Sequence, residues 1–197
     1  MPADATPAVP GVLTDVPCQL VPSGPGYVSE NNLRLFTTLI YAATERLSIV
    51  SPYFVPDESL LYAVTTAAQR GVDVELFVSE EADQFMVGHA QASYYRALLE
   101  AGVRIHLYPK PFVLHAKHFT ADDDVAVIGS SNMDMRSFAL NYEISLMMVG
   151  GAVVTAMREV EDVYRAASRP LTLEEWDRRP VRSKYVDNVM RLTAALQ

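Results

Sequence analysis

At 197 residues, half of them apolar, the chain can fill one sizeable α/β core but has too little material for a second full domain. Its 24 acidic and 16 basic residues leave a net charge of −8, against the basic balance that duplex binding draws on, so no nucleic-acid partner is expected. A single cysteine, Cys18, excludes an intramolecular disulfide framework, and with four scattered histidines it offers no structural zinc pattern.

In chain order, residues 1–17 read as a flexible leader, small and proline-rich from Met1 to Pro10, without the cationic start and apolar run of a signal peptide. From about Asn31 to Arg46, Leu33, Phe36, Leu39, Ile40 and Ala43 recur at helical spacing. Leu47 to Val50 reads as a buried strand that stops at Pro52. Asp57 can cap a second helix whose stripe is Leu60, Leu61, Val64, Ala67 and Ala68; Gly71 ends it. Val72 to Val78 alternates as a strand, a third helix runs from about Asp83 to Ala101, and Val103 to Leu107 is the next strand. This rhythm predicts an α/β domain with a mixed, largely parallel sheet flanked by helices.

After Pro109 and Pro111 the rhythm changes. Residues 113–120 and 124–128 read as strands joined by the acidic turn Asp122-Asp123-Asp124, and Asn141 to Val149 as another. Gly150-Gly151 opens a helix to about Ala167, which closes the main domain at about residue 170. The tail, 171–197, holds a segment near Leu171–Trp176 and a final helix from about Val181 to Leu196. That helix carries Val186, Val189, Met190, Leu192 and Leu196 beside Arg182, Lys184 and Arg191. It suits packing on the domain and, less commonly, lying on a membrane surface. The charge-free stretch Ile144–Met157 is too short to cross a bilayer.

The chemistry is concentrated in His115-Ala-Lys117, Asp122 and Gly129-Ser130-Ser131-Asn132, which form the pattern H-x-K-x4-D-x6-G-S-x-N. Six fixed positions, each met about one time in twenty, would arise by chance in a chain of this length about once in several hundred thousand. A phosphodiester resists attack because its anionic oxygens repel nucleophiles, so charge must be neutralised around phosphorus. Two residues apart on an extended segment, His115 and Lys117 point to the same side. Asn132 and the Ser130 hydroxyl add donors. A neutral imidazole can attack phosphorus and form a phosphohistidine, while a second histidine protonates the leaving alkoxide and deprotonates the incoming alcohol. A nucleophilic imidazole also needs its tautomer fixed, and Glu143 is the candidate carboxylate.

These residues match the signature of the phospholipase D superfamily, and the flanking text resembles the C-terminal half of bacterial cardiolipin synthases. The resemblance rests on Val21-Pro-Ser-Gly-Pro25, Ser51-Pro-Tyr-Phe-Val-Pro-Asp57, Arg70-Gly-Val-Asp-Val74, Leu99-Glu-Ala-Gly-Val103, Arg136-Ser-Phe138, Asn141-Tyr-Glu143 and Leu173-Glu-Glu-Trp176, across roughly residues 18–180. It implies transfer of a phosphatidyl group between two phosphatidylglycerol molecules at a membrane surface, giving cardiolipin and glycerol, with no metal or other cofactor. His115, Lys117 and Asn132 would bind and attack the phosphate, Ser130 would assist, Glu143 would be the downstream acid, and Asp122 would be mainly structural. Whether His115 is nucleophile or general acid/base stays open, as do hydrolysis with water as acceptor, in the manner of a hydrolytic phospholipase D or a single-motif homodimeric nuclease, and an inactive half-domain that needs a partner half. The family pairs two such motifs across a pseudo-two-fold interface, whereas this chain has one. A second HxK-containing half or a homodimer is therefore expected as partner, with peripheral association at the cytoplasmic membrane.

Other candidates are weaker. His118 should face away from His115 and pack; His106 reads as structural, and His89, on the third helix, more often as structural than as part of a cleft. Tyr53 and Phe54 follow a strand end, where aromatics are usually core but can line a pocket. Arg136 can pair with an acid or meet a lipid phosphate. The Asp122–Asp124 run lacks calcium-loop spacing and reads as a solvated turn.

Overall fold

The structure, a computed structural model, describes residues 15–27 and 29–192. Most of the expected leader, and the end of the expected final helix beyond 192, lie outside the described residues. In chain order the elements are β1 (Cys18–Ser23), α1 (Asn31–Ala42), β2 (Arg46–Val50), β3 (Phe54–Val55), α2 (Glu58–Gln69), β4 (Asp73–Ser79), α3 (Phe85–Ala101), β5 (Arg104–Tyr108), β6 (His118–Ala121), β7 (Val125–Gly129), β8 (Met133–Asp134), α4 (Met135–Ala139), β9 (Glu143–Val149), α5 (Gly151–Ala167), β10 (Arg169–Leu171), α6 (Leu173–Asp177) and α7 (Val181–Arg191).

Eight strands form one sheet in the order β1-β9-β7-β6-β2-β4-β5-β10, and β3 and β8 pair separately. The sheet is mixed, as expected, but parallel pairing is confined to β2, β4 and β5, the strands joined by the crossover helices α2 and α3. The tight turn between β6 and β7 makes that pair antiparallel, and β7 and β9 also pair antiparallel, as β6 does with β2. Alternate residues sort to the two faces. Leu47, Ile49, Leu76, Ile105 and Phe119 join Phe36, Ile40, Leu60, Val64 and Leu98 of α1–α3 in the main core. The other face packs on α5, where Ala126 meets Val153 and Val154.

That second face is unusually polar. Glu75 of β4 is fully buried and accepts from His106 Nε2 at 2.9 Å, Arg165 Nη2 at 2.7 Å and Arg46 Nη2 at 3.1 Å. Glu161 of α5 accepts from Thr120 Oγ1 at 2.9 Å and lies 3.7 Å from His118 Nε2. His106 and His118 therefore have structural surroundings, as expected. Burial lowers the His118 pKa to about 4, so this imidazole stays neutral beside the motif.

Several boundaries differ from those expected. Helix α1 ends at Ala42 rather than Arg46, because the backbone N–H groups of Thr44, Glu45 and Arg46 bind the Asp122 carboxylate instead of continuing the helix. The strand expected over 113–120 begins at His118. Upstream of it the chain crosses the end of β4, held by the Leu114 N–H donating to Ser79 Oγ at 2.9 Å. Strands β1, β3, β8 and β10 carry no alternating stretch long enough to announce them. Asp57 caps α2 through the Leu60 N–H at 2.9 Å, and Gly102 ends α3 with φ 98°.

Candidate active site

The motif is assembled where the approach to β6 meets the end of β7. The Gly129 N–H donates to the Lys117 carbonyl at 3.1 Å, and the Ser130 N–H donates to the Ile144 carbonyl at 3.0 Å. These bonds draw the His115–Lys117 and Gly129–Asn132 segments and β9 together. Gly129 has to be glycine there: a Cβ would collide with the Ile144 carbonyl and with Ser145. His115 is exposed, and Lys117 Nζ sits 3.1 Å from its Nδ1 and 3.0 Å from its carbonyl oxygen. The shared side expected from their spacing is thus realised.

Ser130 Oγ donates to Glu143 Oε2 and accepts from the Ile144 N–H at 3.0 Å. Partial burial lowers the Lys117 pKa, against the opposing pull of the Glu143 and Asp134 carboxylates. Asn132 adjoins the same cluster: its side chain favours the charged form of the Asp134 carboxylate, and its own N–H donates to Ser137 Oγ at 3.2 Å. The Asn132 Oδ1 is buried and has no partner among the described residues. His115, Lys117, Ser130, Asn132 and Glu143 are therefore brought together. One expected contact differs: the carboxylate of Glu143 is bonded to Ser130, and the imidazole of His115 to Lys117, so Glu143 does not orient the imidazole of its own chain by a direct hydrogen bond.

Asp122 stands apart from this cluster. Its φ is 48°, and its carboxylate accepts from the N–H groups of Thr44, Glu45 and Arg46 at 2.8–3.1 Å and from Thr44 Oγ1 at 2.9 Å. Burial alone would raise its pKa, but these donors reverse the shift and lower it. The turn that follows is closed by Arg158, which donates to the Asp123 carboxylate and the Asp122 carbonyl. The acidic run is an anchor for α5.

The short pairing of β3 with β8 carries Tyr53 to the site, with Phe54 opposite Met133. Phe54 is fully buried core. Tyr53 donates to Asp83 Oδ1 at 2.7 Å, accepts from Gln84 Nε2 at 3.1 Å, and has its pKa pushed up to about 12 by burial and by Asp83. It lines a pocket of about 200 Å³ with Gln84, Asn132, Asp134, Arg136 and Asn141. Arg136 is exposed, and no acid pairs with its guanidinium among the described residues. A larger cleft, about 540 Å³, begins at Gln84 and runs past Phe85, His89 and Trp176. His89 itself is bound to Asp187 Oδ1 at 2.7 Å, which ties α7 to α3.

Asp134 was not foreseen. It is buried, caps α4 through the Ser137 N–H at 2.7 Å, and has its pKa raised by burial. The signal was present: Asp134 and Ser137 stand at N-cap and N3 spacing directly after the motif.

The same architecture occurs in the phospholipase D family member Nuc from Salmonella typhimurium, at 16% identity and a TM-score of 0.68 over 80% of this chain and 99% of that one. It also occurs in phosphatidylserine synthase from Haemophilus influenzae, at 15% identity and a TM-score of 0.73 over 91% of this chain and 48% of that one. The fold is thus of phospholipase D type. Residues 36–163 match the family described as cardiolipin synthase, PLD-like domain. Cardiolipin synthase A of Yersinia pseudotuberculosis is 40% identical over 163 residues, which cover 83% of this chain and 33% of that protein. The chain belongs to the PLD-like domain family of the cardiolipin synthases, and it spans about a third of the length of the curated relatives it matches.

Proposed function

We propose that this domain supplies one half of a phosphatidyl-transfer site that makes cardiolipin from two phosphatidylglycerol molecules. The observation that carries this reading is the pairing of an exposed His115 with Lys117 at 3.1 Å, beside Asn132 and the Ser130–Glu143 pair. One imidazole attacks phosphorus: a P–N bond forms, the P–O bond to the leaving glycerol breaks, and a second imidazole gives that alkoxide its proton. The second imidazole then takes the proton of the acceptor hydroxyl, whose oxygen displaces the phosphohistidine. His115 fills one of the two roles. Lys117 and the Asn132 amide hold the non-bridging oxygens, with Ser130 assisting. Because Glu143 does not bond the His115 of its own chain, the imidazole it orients is the one from the second half. Arg136, unpaired beside Asn132, suits the phosphate of the acceptor lipid.

The second half is a partner domain or a second copy of this chain. Around the site, Leu20, Ile128, Leu140, Tyr142 and Ile144 are all exposed, an apolar border suited to it. Among the described residues no helix is long and apolar enough to cross a membrane, and we place the domain at the cytoplasmic membrane by peripheral contact. His115→Ala tests the proposal. With phosphatidylglycerol vesicles as substrate and the oligomeric state measured by light scattering, the variant should fold and assemble yet form no cardiolipin. Substantial residual transfer would remove His115 from the mechanism. Phosphatidic acid formed in place of cardiolipin would make water the acceptor and the protein a hydrolase.

A further inference from the structure

Helix α7 has two faces of different character. Asp187 is turned inward, 2% exposed, and held by His89 and by Arg179 Nη1 at 2.7 Å. Arg191 stacks on Tyr94 with its guanidinium 4.6 Å from the ring centre. The contacts His89–Asp187 and Tyr94–Arg191 advance together along both chains, so α7 runs parallel to α3. The opposite face is largely exposed among the described residues. Val181 is 82% exposed, Tyr185 70%, Val189 36% and Leu192 85%, at the spacing of one helical stripe. Arg182 and Asn188 flank that stripe and Arg178 precedes it. All three are exposed, and neither arginine has an acid partner among the described residues.

We propose that this face is a docking surface for an anionic phospholipid bilayer. Charge complementarity selects that occupant. Of the five basic side chains between residues 178 and 192, Arg179 pairs with Asp187, Lys184 with Asp177 and Arg191 stacks on Tyr94, which leaves Arg178 and Arg182 as cations beside the stripe, while the one acid of the segment, Asp187, is turned inward. A helix lying in a membrane interface needs this arrangement, with apolar side chains in the headgroup boundary and cations beside them. The surface is also continuous with the catalytic side. The parallel alignment puts the Val181–Tyr185 end of α7 beside the start of α3, where Phe85 and Met86 are exposed. The residue before Phe85 is Gln84, which lines the pocket holding Asn132. A bilayer against this face would bring lipid headgroups to the mouth of that pocket.

The inference rests on the reading of the substrate as a membrane lipid, but its test is read without turnover. The 197-residue chain should co-sediment with vesicles containing phosphatidylglycerol, bind phosphatidylcholine vesicles weakly, and release as salt rises. The triple variant V181S/Y185S/L192S should bind about tenfold less with a nearly unchanged melting temperature, because the three side chains are mostly exposed. The pair R178Q/R182Q should lose the preference for anionic vesicles. His115→Ala should bind as the unsubstituted chain does, which separates docking from chemistry. Equal vesicle binding by the triple variant, or equal binding to neutral and anionic vesicles, would overturn the proposal. So would a dimer by light scattering that the triple variant converts to monomer, since the face would then join two copies.

Discussion

Replacing Asp122 should damage the fold rather than the chemistry, although it is one of the six fixed motif positions. In the structure its carboxylate receives four donors, three backbone N–H groups and one hydroxyl, and none of the phosphate-binding residues. At roughly 0.5–1.5 kcal/mol net for each hydrogen bond, and with the site partly open to water, Asp122→Ala should cost about 2–4 kcal/mol. An alanine at φ 48° adds about 1 kcal/mol more. For a domain of this size that corresponds to a melting temperature lower by roughly 6–15 °C. Asp122→Asn should cost about half as much: its Oδ1 can still serve Glu45 and Arg46, but its amide group meets the Thr44 N–H donor to donor. Because the folded pKa is lowered, the contribution of the carboxylate is present above its unfolded pKa, about 3.9, and is lost as pH falls through the folded value. The stability gap between the wild type and Asp122→Asn should therefore narrow below about pH 4. Urea denaturation followed by circular dichroism from pH 3 to 7 measures all of this. Unchanged stability with abolished transfer would refute the structural role and move Asp122 into the chemistry.

Glu143→Gln should lower the transfer rate more than lipid binding. Removing a negative charge near Lys117 makes its ammonium form less favourable, so the alkaline limb of the pH–rate profile should also move to lower pH; an unmoved limb would separate Glu143 from Lys117. Gly129→Ala should cost at least about 2 kcal/mol and reduce activity even in the fraction that folds, since its methyl group pushes the Ser130 turn away from β9; near-normal stability in chemical denaturation would contradict the close approach. Glu75→Ala should destabilise by about 3 kcal/mol, at the lower end for a broken buried pair because its arginines reach solvent, and a loss under 1 kcal/mol would show that Arg46 and Arg165 resolvate freely.

Local periodicity made the crossover part of the fold legible. Leu33, Phe36 and Ile40 repeat at helical spacing and are all buried against the sheet, and the strands over 47–50, 72–78 and 103–107 follow their apolar runs to within two residues. What stayed hidden was set by distant partners. The two-residue strands β3 and β8 exist because Phe54 and Met133 meet across 79 positions of sequence, and β1 and β10 exist because β9 and β5 offer them an edge. No window of sequence contains those partners. The end of α1 was hidden for the same reason, its terminating carboxylate lying 76–78 residues downstream.

The site divides along the same line, and the division bears on how the motif works. Residue types were legible because the chemistry constrains them one by one: imidazole for attack and proton transfer, ammonium and amide for phosphate charge, glycine where β7 meets β9. Pairings were not. Chemistry alone would put Glu143 on His115, since a nucleophilic imidazole needs a carboxylate to fix its tautomer. The structure instead puts Glu143 on Ser130 and Lys117 on His115. Among the described residues the side chain bonded to the imidazole is an ammonium, so no carboxylate fixes its tautomer, and the carboxylate is bonded to a hydroxyl and has no imidazole to orient. Each is the complement of what the other lacks, and two-fold pairing of such sites would supply both at once. On this argument one motif is half of an acid–base system, and if two copies share the site a heterodimer of an unsubstituted chain with one carrying His115→Ala should be as inactive as the His115→Ala homodimer, because one of the two imidazoles is missing. Transfer at about half the unsubstituted rate in a proven heterodimer would mean that each copy works alone and uses its own Glu143.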